Sequence, residues 1–228
     1  MIQQLLLKNG KEIKVVQLAV KHLDEILTLQ QKVIDTLTSG AFLQPLTQEE
    51  FLYILQGKGM MIGAYYEGQL VAFRAMLEPD IDEEGHLGID AGVSMNELST
   101  VIYSEISNVD PDFRGNNLQV LLGTILMQSV NQQQFRYVCT TVAPFNIASL
   151  KDKFAHGMEI VALKVKYDDL LRYILMKDLT QPLQTEASTS CEIIMEDTEL
   201  QQRYLQDGWR GTAISQVDDQ WVVHFEKA

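Results

Sequence analysis

The sequence predicts an α/β fold: a mixed central sheet flanked by helices, with a small C-terminal extension. Three observations predict it. An apolar strand over 101–109 runs through a Gly/Asn-rich turn directly into a long amphipathic helix, and another strand follows at 135–142. Ahead of that passage stand apolar runs separated by turn dipeptides, the pattern of antiparallel hairpins. Behind it come a short helix, two further strands and a polar stretch that sets the C-terminal end apart.

The chain has 228 residues, of which 46% are hydrophobic and 21% charged, so it is long and apolar enough to bury a substantial core. The formal net charge is −13, with Lys and Arg scattered, which argues against a nucleic-acid partner. The same field mildly favours a cationic substrate such as an amine. Cys139 and Cys191 are too few for a disulfide framework, and Cys139, inside an apolar strand, reads as a small buried thiol rather than a nucleophile or ligand. The N-terminus lacks a basic region, and no stretch reaches the ~18 apolar residues of a membrane span. Neither a signal peptide nor a membrane partner is expected, and the expected location is cytoplasmic.

Taken in order, Asn9-Gly10 between two apolar runs signals a first hairpin, since both residue types accept φ > 0. From Val20 to Thr38, Leu23, Ile26, Leu27, Gln30, Val33, Ile34 and Leu37 recur at helical spacing, closed by Ser39-Gly40. Thr47 and Glu50 form a capping box that opens a short second helix before Phe51, Leu52, Ile54 and Leu55. The runs 60–66 and 69–77 read as a hairpin turned by Glu67-Gly68. The acidic loop 78–90 places Asp80, Asp82, Glu84 and Gly85 at offsets of a calcium-binding EF loop. Ala91 stands where that loop needs its bidentate acid, so the segment reads as a solvated loop.

Leu118, Leu121, Leu122, Ile125, Leu126 and Val130 make the clearest helical stripe in the chain. Strand, helix and strand at this length form a right-handed crossover, which would make the strands at 101–109 and 135–142 parallel. A short helix from Asn146 is stopped near Gly157, and adjacent strands are expected at 158–165 and 170–179. The main domain is therefore 1–179 and the polar linker 180–190. The extension 191–228 holds a short strand, a helix over 197–207 and a hairpin. It is too small for its own core and is expected to pack on the main domain or on a second subunit, which leaves a homodimer open.

Chemistry centres on the turn Val109-Asp-Pro-Asp-Phe-Arg114-Gly115-Asn116-Asn117-Leu118-Gln119. A Gly/Asn-rich turn feeding a helix leaves several N–H groups without partners. Together with the positive end of the helix dipole they suit a phosphate or pyrophosphate. Gly157 follows Asn146 by eleven positions, in Asn146-Ile-Ala-Ser149 through Phe154 to Gly157-Met158. The first stretch resembles the coenzyme A signature of the GCN5-related N-acetyltransferases (GNAT), and the second is similar to that family's second motif. The resemblance spans about 11–179, with its specific residues inside 101–158.

It implies the GNAT fold, acetyl-CoA as cofactor, and acetyl transfer to a primary amine of a small molecule or peptide. By resemblance, Val109 offers backbone groups to the pantetheine arm. Arg114, Gly115, Asn116, Asn117, Leu118 and Gln119 surround the pyrophosphate, and Asn146, Ser149 and Phe154 line the far side of the arm. The plainer alternatives are an N-cap for Asn146 and a core side chain for Phe154. The family pattern after the strand is Arg or Gln, two residues, Gly, one residue, then Gly or Ala. Here Asn117 and Gln119 hold the two small-residue places. Asn reaches the left-handed region more readily than other non-glycine residues, whereas Gln119 brings a side chain whose amide can donate to a phosphate oxygen.

Direct acyl transfer needs a base for the amine and an acid for the leaving thiolate. The family's tyrosine acid, seven positions after the helix-initiating Asn, is Lys153 here, so Tyr167 is the substitute candidate. Glu105 is the candidate base. Strand alternation places Val101, Tyr103, Glu105, Ser107 and Val109 on one face, and burial raises a carboxyl's pKa toward a base's working range. The alternative is an edge residue, or a structural partner of Arg74 or Arg136. His22, His86, His156 and His224 show no metal-ligand spacing, so no metal is expected, and His156 reads as a helix-dipole partner. Two other functions remain open: a coenzyme-binding sensor without catalysis, and transfer of another acyl group on the same scaffold.

Overall fold

A computed structural model of the chain describes residues 2–37, 43–82, 84–167, 169–181 and 189–227. The expected helix stop at Ser39-Gly40 and most of the linker lie outside them. The chain divides into two compact units, Met1–Pro79 with Tyr103–Val130 and Asp80–Ile102 with Asn131–Ala228.

The first unit carries β1 (Ile2–Leu6), β2 (Glu12–Gln17), β3 (Gly59–Tyr66), β4 (Gln69–Leu77) and, from Tyr103 on, β5 (Val101–Val109), hydrogen-bonded in that order. Each pairing is antiparallel. Glu67 and Gly68 turn β3 into β4 with φ of 48° and 82°, as a two-residue hairpin with the right strand twist requires. The β1–β2 connection is longer than an Asn-Gly turn: the loop closes through Leu7 N–H to the Lys11 carbonyl at 2.8 Å.

The first helix, α1 (Leu23–Ile34), is shorter than its apolar stripe and is preceded by a tight turn over Val20–His22. Ile26, Leu29 and Val33 meet Phe51, Phe73, Ala75 and Ile106 in one buried cluster, where each large side chain contributes ~1.5–3 kcal/mol. Gln30 shares the buried side because it is satisfied there: its amide donates to the Leu46 carbonyl at 2.8 Å and its oxygen accepts the Leu46 N–H at 3.0 Å. The capping box is formed, with Thr47 opening α2 (Gln48–Tyr53). The stripe 118–130 gives α4 (Leu118–Ser129), which packs on β3 and β4.

The second unit orders β6 (Tyr137–Val142), β8 (Leu170–Asp178), β7 (Glu159–Lys166), β10 (Arg210–Val217), β11 (Gln220–Lys227) and β9 (Thr189–Ile194). Again each pairing is antiparallel. The strands after the linker therefore continue this unit's sheet. The junction is Gly211 against Ile160, and a Cβ on Gly211 would stand 3.0 Å from the Ile160 side chain, a contact that Ile160 would have to shift to accommodate. Its helices are α3 (Leu87–Asp90), α5 (Ile147–Ala155) and α6 (Thr198–Gln206).

In the acidic segment, Asp90 and the Gly85 carbonyl make ordered contacts with two lysines. Asp90 is held by Lys164 at 2.8 Å and Lys166 at 2.7 Å, and Lys166 also donates to the Gly85 carbonyl at 2.6 Å. Among the described residues no group of His, Cys, Asp and Glu could hold a metal, and no helix is long and apolar enough to cross a membrane. Cys139 is fully buried, and burial pushes its thiol up to about 12, so it is inert as a nucleophile.

Candidate functional site

In the first unit the predicted residues lie on β5 and the turn that follows it. The register of β5 on β4 pairs Ala75 with Ile106 but Met76 with Ser104. Glu105 is the extra residue of a β-bulge, which interrupts the ladder and shifts the alternation by one. Beyond the bulge Glu105, Ser107 and Val109 keep a common face, as expected. Before it the parity reverses. Arg74, paired with Ser107, donates Nη2 to Ser104 Oγ at 3.1 Å, while Ile106 joins the opposite-face cluster with Ile26 and Phe73. Tyr103 and Val101 therefore do not share the face of Glu105, and that part of the sequence reading is corrected.

Arg74 is fully buried, and its Nη1 donates to the Gln119 carbonyl at 2.9 Å, tying β4 to the first turn of α4. The neighbouring Asn108 was not singled out by the sequence. It is 1% exposed, and neither atom of its amide finds a partner among the described residues; the same holds for Ser107 Oγ. The signal in the sequence was a polar residue at an inward position of an apolar strand.

The turn itself is anchored from beneath. Asp110 is buried, accepts the Asp112 N–H at 3.0 Å, and receives Lys32 Nζ on both oxygens at 2.8 Å. Lys32 also reaches Asp112 at 3.0 Å, and these hydrogen bonds raise its pKa. Phe113 is buried with Lys11 Nζ 4.5 Å from its ring centroid. Arg114 is exposed and donates to Thr36 Oγ1 at 3.1 Å. Gly115 and Asn117 both take positive φ, 80° and 59°. Asn117 thus occupies the left-handed conformation expected of it, at the N-cap of α4, and its side chain makes no cap hydrogen bond. Asn116 Nδ2 donates to the Phe113 carbonyl at 3.0 Å. Among the described residues, no backbone N–H from Gly115 to Gln119 donates to a protein acceptor. The turn gathers these amides at the N-terminus of α4, with the exposed Arg114 guanidinium in the same turn.

In the second unit, Asn146 caps α5 by accepting the Ser149 N–H at 3.3 Å. Gly157, at φ 70°, closes the helix: its N–H reaches the Phe154 carbonyl at 2.9 Å, and the Met158 N–H reaches the Lys153 carbonyl at 3.1 Å. Ser149 and Phe154 are half-buried. Lys153 does not project to solvent. It is 5% exposed and pairs with Asp152 at 3.1 Å, and His156 Nδ1 stands 3.6 Å from the same carboxylate. His156 is the C-cap of α5 and is buried, with Nδ1 2.7 Å from the Asp152 carbonyl in the last turn of the helix, the place expected of a dipole partner. Tyr167, in the β7–β8 turn at φ 48°, is 42% exposed, with its hydroxyl 3.3 Å from Thr141 Oγ1. The buried guanidinium of Arg172, its pKa lowered by that burial, lies 6.0 Å from the Tyr167 ring centroid.

An open groove of about 530 Å³ in the first unit, lined by Glu12, Lys14, His22, Glu25, Tyr65 and Glu67 among others, contains none of the predicted site residues.

No family model and no curated protein matches the chain. Solved structures do. The GNAT domain of S. lividans PAT is similar with a TM-score of 0.56 at 15% identity, over 78% of this chain and 97% of that one. The yncA protein of Salmonella typhimurium, solved with its cofactor acetyl-CoA, gives 0.56 at 11% identity over 77% and 98%. The ribosomal-protein-S18-alanine N-acetyltransferase of Escherichia coli gives 0.55 at 13% identity over 76% and 98%. The chain has the fold of the GNAT-domain acetyltransferases.

Proposed function

We propose that the protein is an acetyl-CoA-dependent N-acetyltransferase of the GNAT superfamily that acetylates a primary amine of a small molecule or peptide. The observation that carries the reading is the set of unpartnered amides from Gly115 to Gln119, held in place by the left-handed Gly115 and Asn117. Backbone N–H groups gathered at a helix N-terminus fit a pyrophosphate. Acetyl-CoA, when bound, supplies the activated acetyl thioester.

The chain's own residues supply the rest. The amides of 115–119 receive the pyrophosphate, and Arg114 exchanges its bond to Thr36 for a charge-assisted one to a phosphate oxygen. Val109 is proposed to offer backbone groups to the pantetheine arm, and Asn146, Ser149 and Phe154 are carried over from the family resemblance as further cofactor-binding candidates. A strand amide near Ser107–Val109 is the candidate oxyanion donor. Glu105, half-buried at the bulge, is the proposed base, directly or through a water. Tyr167 is the proposed acid, since its hydroxyl is a donor and the buried Lys153 is not available. That burial also favours a second reading, a coenzyme-binding sensor without catalysis.

Calorimetric titration with acetyl-CoA tests the cofactor assignment. The wild type binds, and Arg114→Glu binds about tenfold or more weakly, the scale of a lost charge-assisted contact replaced by a repulsive one. Tight binding to the variant, or none to the wild type, overturns it. Amine-dependent release of the CoA thiol separates enzyme from sensor. Comparison of acetyl-CoA with longer acyl-CoAs tests the acyl group.

A further inference from the structure

We propose that the C-terminal extension is a brace for the Phe145–Asn146 turn, with Met195 and Gln201 as positioning residues; the functional consequence rests on the cofactor reading of the Asn146 helix. Phe145 holds φ at 65° immediately before the N-cap of α5. A non-glycine aromatic residue in that region is strained and persists only where its surroundings over-determine it. Its N–H points to Met195 Sδ at 3.2 Å.

Met195, 0% exposed, follows β9 and is fixed by hydrogen bonds rather than by packing alone. Its own N–H donates to the Trp221 carbonyl at 2.8 Å. Its carbonyl accepts Gln201 Nε2 at 2.9 Å, and the same nitrogen reaches the Ile194 carbonyl at 3.2 Å. Gln201 is itself 0% exposed, and its oxygen accepts the Tyr173 hydroxyl at 2.7 Å. A buried polar chain thus runs from β8 through α6 and the end of β9 to the turn that starts α5. The extension touches that helix again, with Lys151 Nζ 5.3 Å from the Trp221 ring centroid. Packing alone would have been served by apolar side chains. A glutamine using both its donor and its acceptor sets a position, because each bond is satisfied in one geometry only.

Two readouts test this. Met195→Leu conserves volume and removes only the sulfur acceptor. Gln201→Leu removes the whole junction. In the absence of cofactor, amide hydrogen exchange over 145–150 is expected to accelerate in both variants while exchange in β8 is unchanged. With acetyl-CoA, KM and Kd are expected to rise about threefold in Met195→Leu and about tenfold in Gln201→Leu, on the scale of one weak and one fully buried hydrogen-bonded group, with kcat within about twofold. Unchanged exchange over 145–150 in Met195→Leu, or a fall in kcat with KM held, overturns the brace. Should Gln201→Leu fail to fold, Met195→Leu alone decides. If the wild type does not bind acetyl-CoA, the cofactor reading fails, and the exchange data still judge the brace.

Discussion

Asn108 stands in β5 between Ser107 and Val109, with an amide that is buried and unbonded among the described residues. A buried polar group without partners costs roughly 1–3 kcal/mol, and an apolar group of the same shape avoids that cost. Asn108→Leu is therefore expected to stabilise the protein by about 1 kcal/mol, read as a higher urea midpoint at unchanged slope. A lower midpoint would mean that the amide is satisfied in solution by water. The opposite case is Lys153, whose family position invites the idea that tyrosine there would restore an acid. The structure argues otherwise, because Lys153 is the buried partner of Asp152. Removing one member of a buried pair costs up to ~3–5 kcal/mol, moderated here by His156 Nδ1 3.6 Å from the Asp152 carboxylate. Lys153→Tyr is expected to lower the melting temperature sharply without raising kcat; a gain in kcat would show that position 153 faces the reaction.

At the level of elements, the sequence was legible where one chemical pattern had one structural solution. The stripe from Leu118, the Thr47–Glu50 capping box and the Glu67-Gly68 turn are all local, and each is formed. The bulge at Glu105 was not legible, since it is a property of two strands in register and the spacing within 101–109 carries no mark of it. Nor was the fate of the acidic loop, decided by Lys164 and Lys166 more than seventy positions away from Asp90. That strap makes a pH prediction. Burial pushes the Asp90 carboxyl up, but the hydrogen bonds from Lys164 and Lys166 outweigh it and the net direction is down. A carboxyl depressed on folding contributes stability that is present above its unfolded value near ~4 and is lost as pH falls through the lower folded value. Asp90→Asn should therefore melt below wild type near neutrality. The gap should close as the pH drops below about 4; a gap independent of pH would mean that the ion pairs contribute nothing.

For the whole molecule, the sequence marked the change of composition after Leu179 and read 1–179 as a domain with an appendage. Within the second unit the bonding describes something more integrated. β10 pairs with β7 at Gly211, and Gln201 satisfies the hydroxyl of the fully buried Tyr173. Ile193, Met195, Val223 and Phe225 are core residues. The sequence led to the expectation that the extension packs on the main domain or a second subunit, but the junctions were not legible, because the glycine that admits β10 and the glutamine that answers Tyr173 look in sequence like ordinary turn and helix-surface residues. Cutting the chain after Leu179 would bare the edge of β7, leave the Tyr173 hydroxyl without its acceptor, and expose apolar side chains that the extension covers. An exposed strand edge beside an apolar patch promotes association between chains. The fragment 1–179 is therefore expected to melt well below the full chain and to self-associate in sedimentation, with Tyr173→Phe partly restoring its stability by removing the orphaned hydroxyl. A monomeric fragment that melts with the full chain would show that the extension is an appendage, and would leave the brace on α5 nothing to act through.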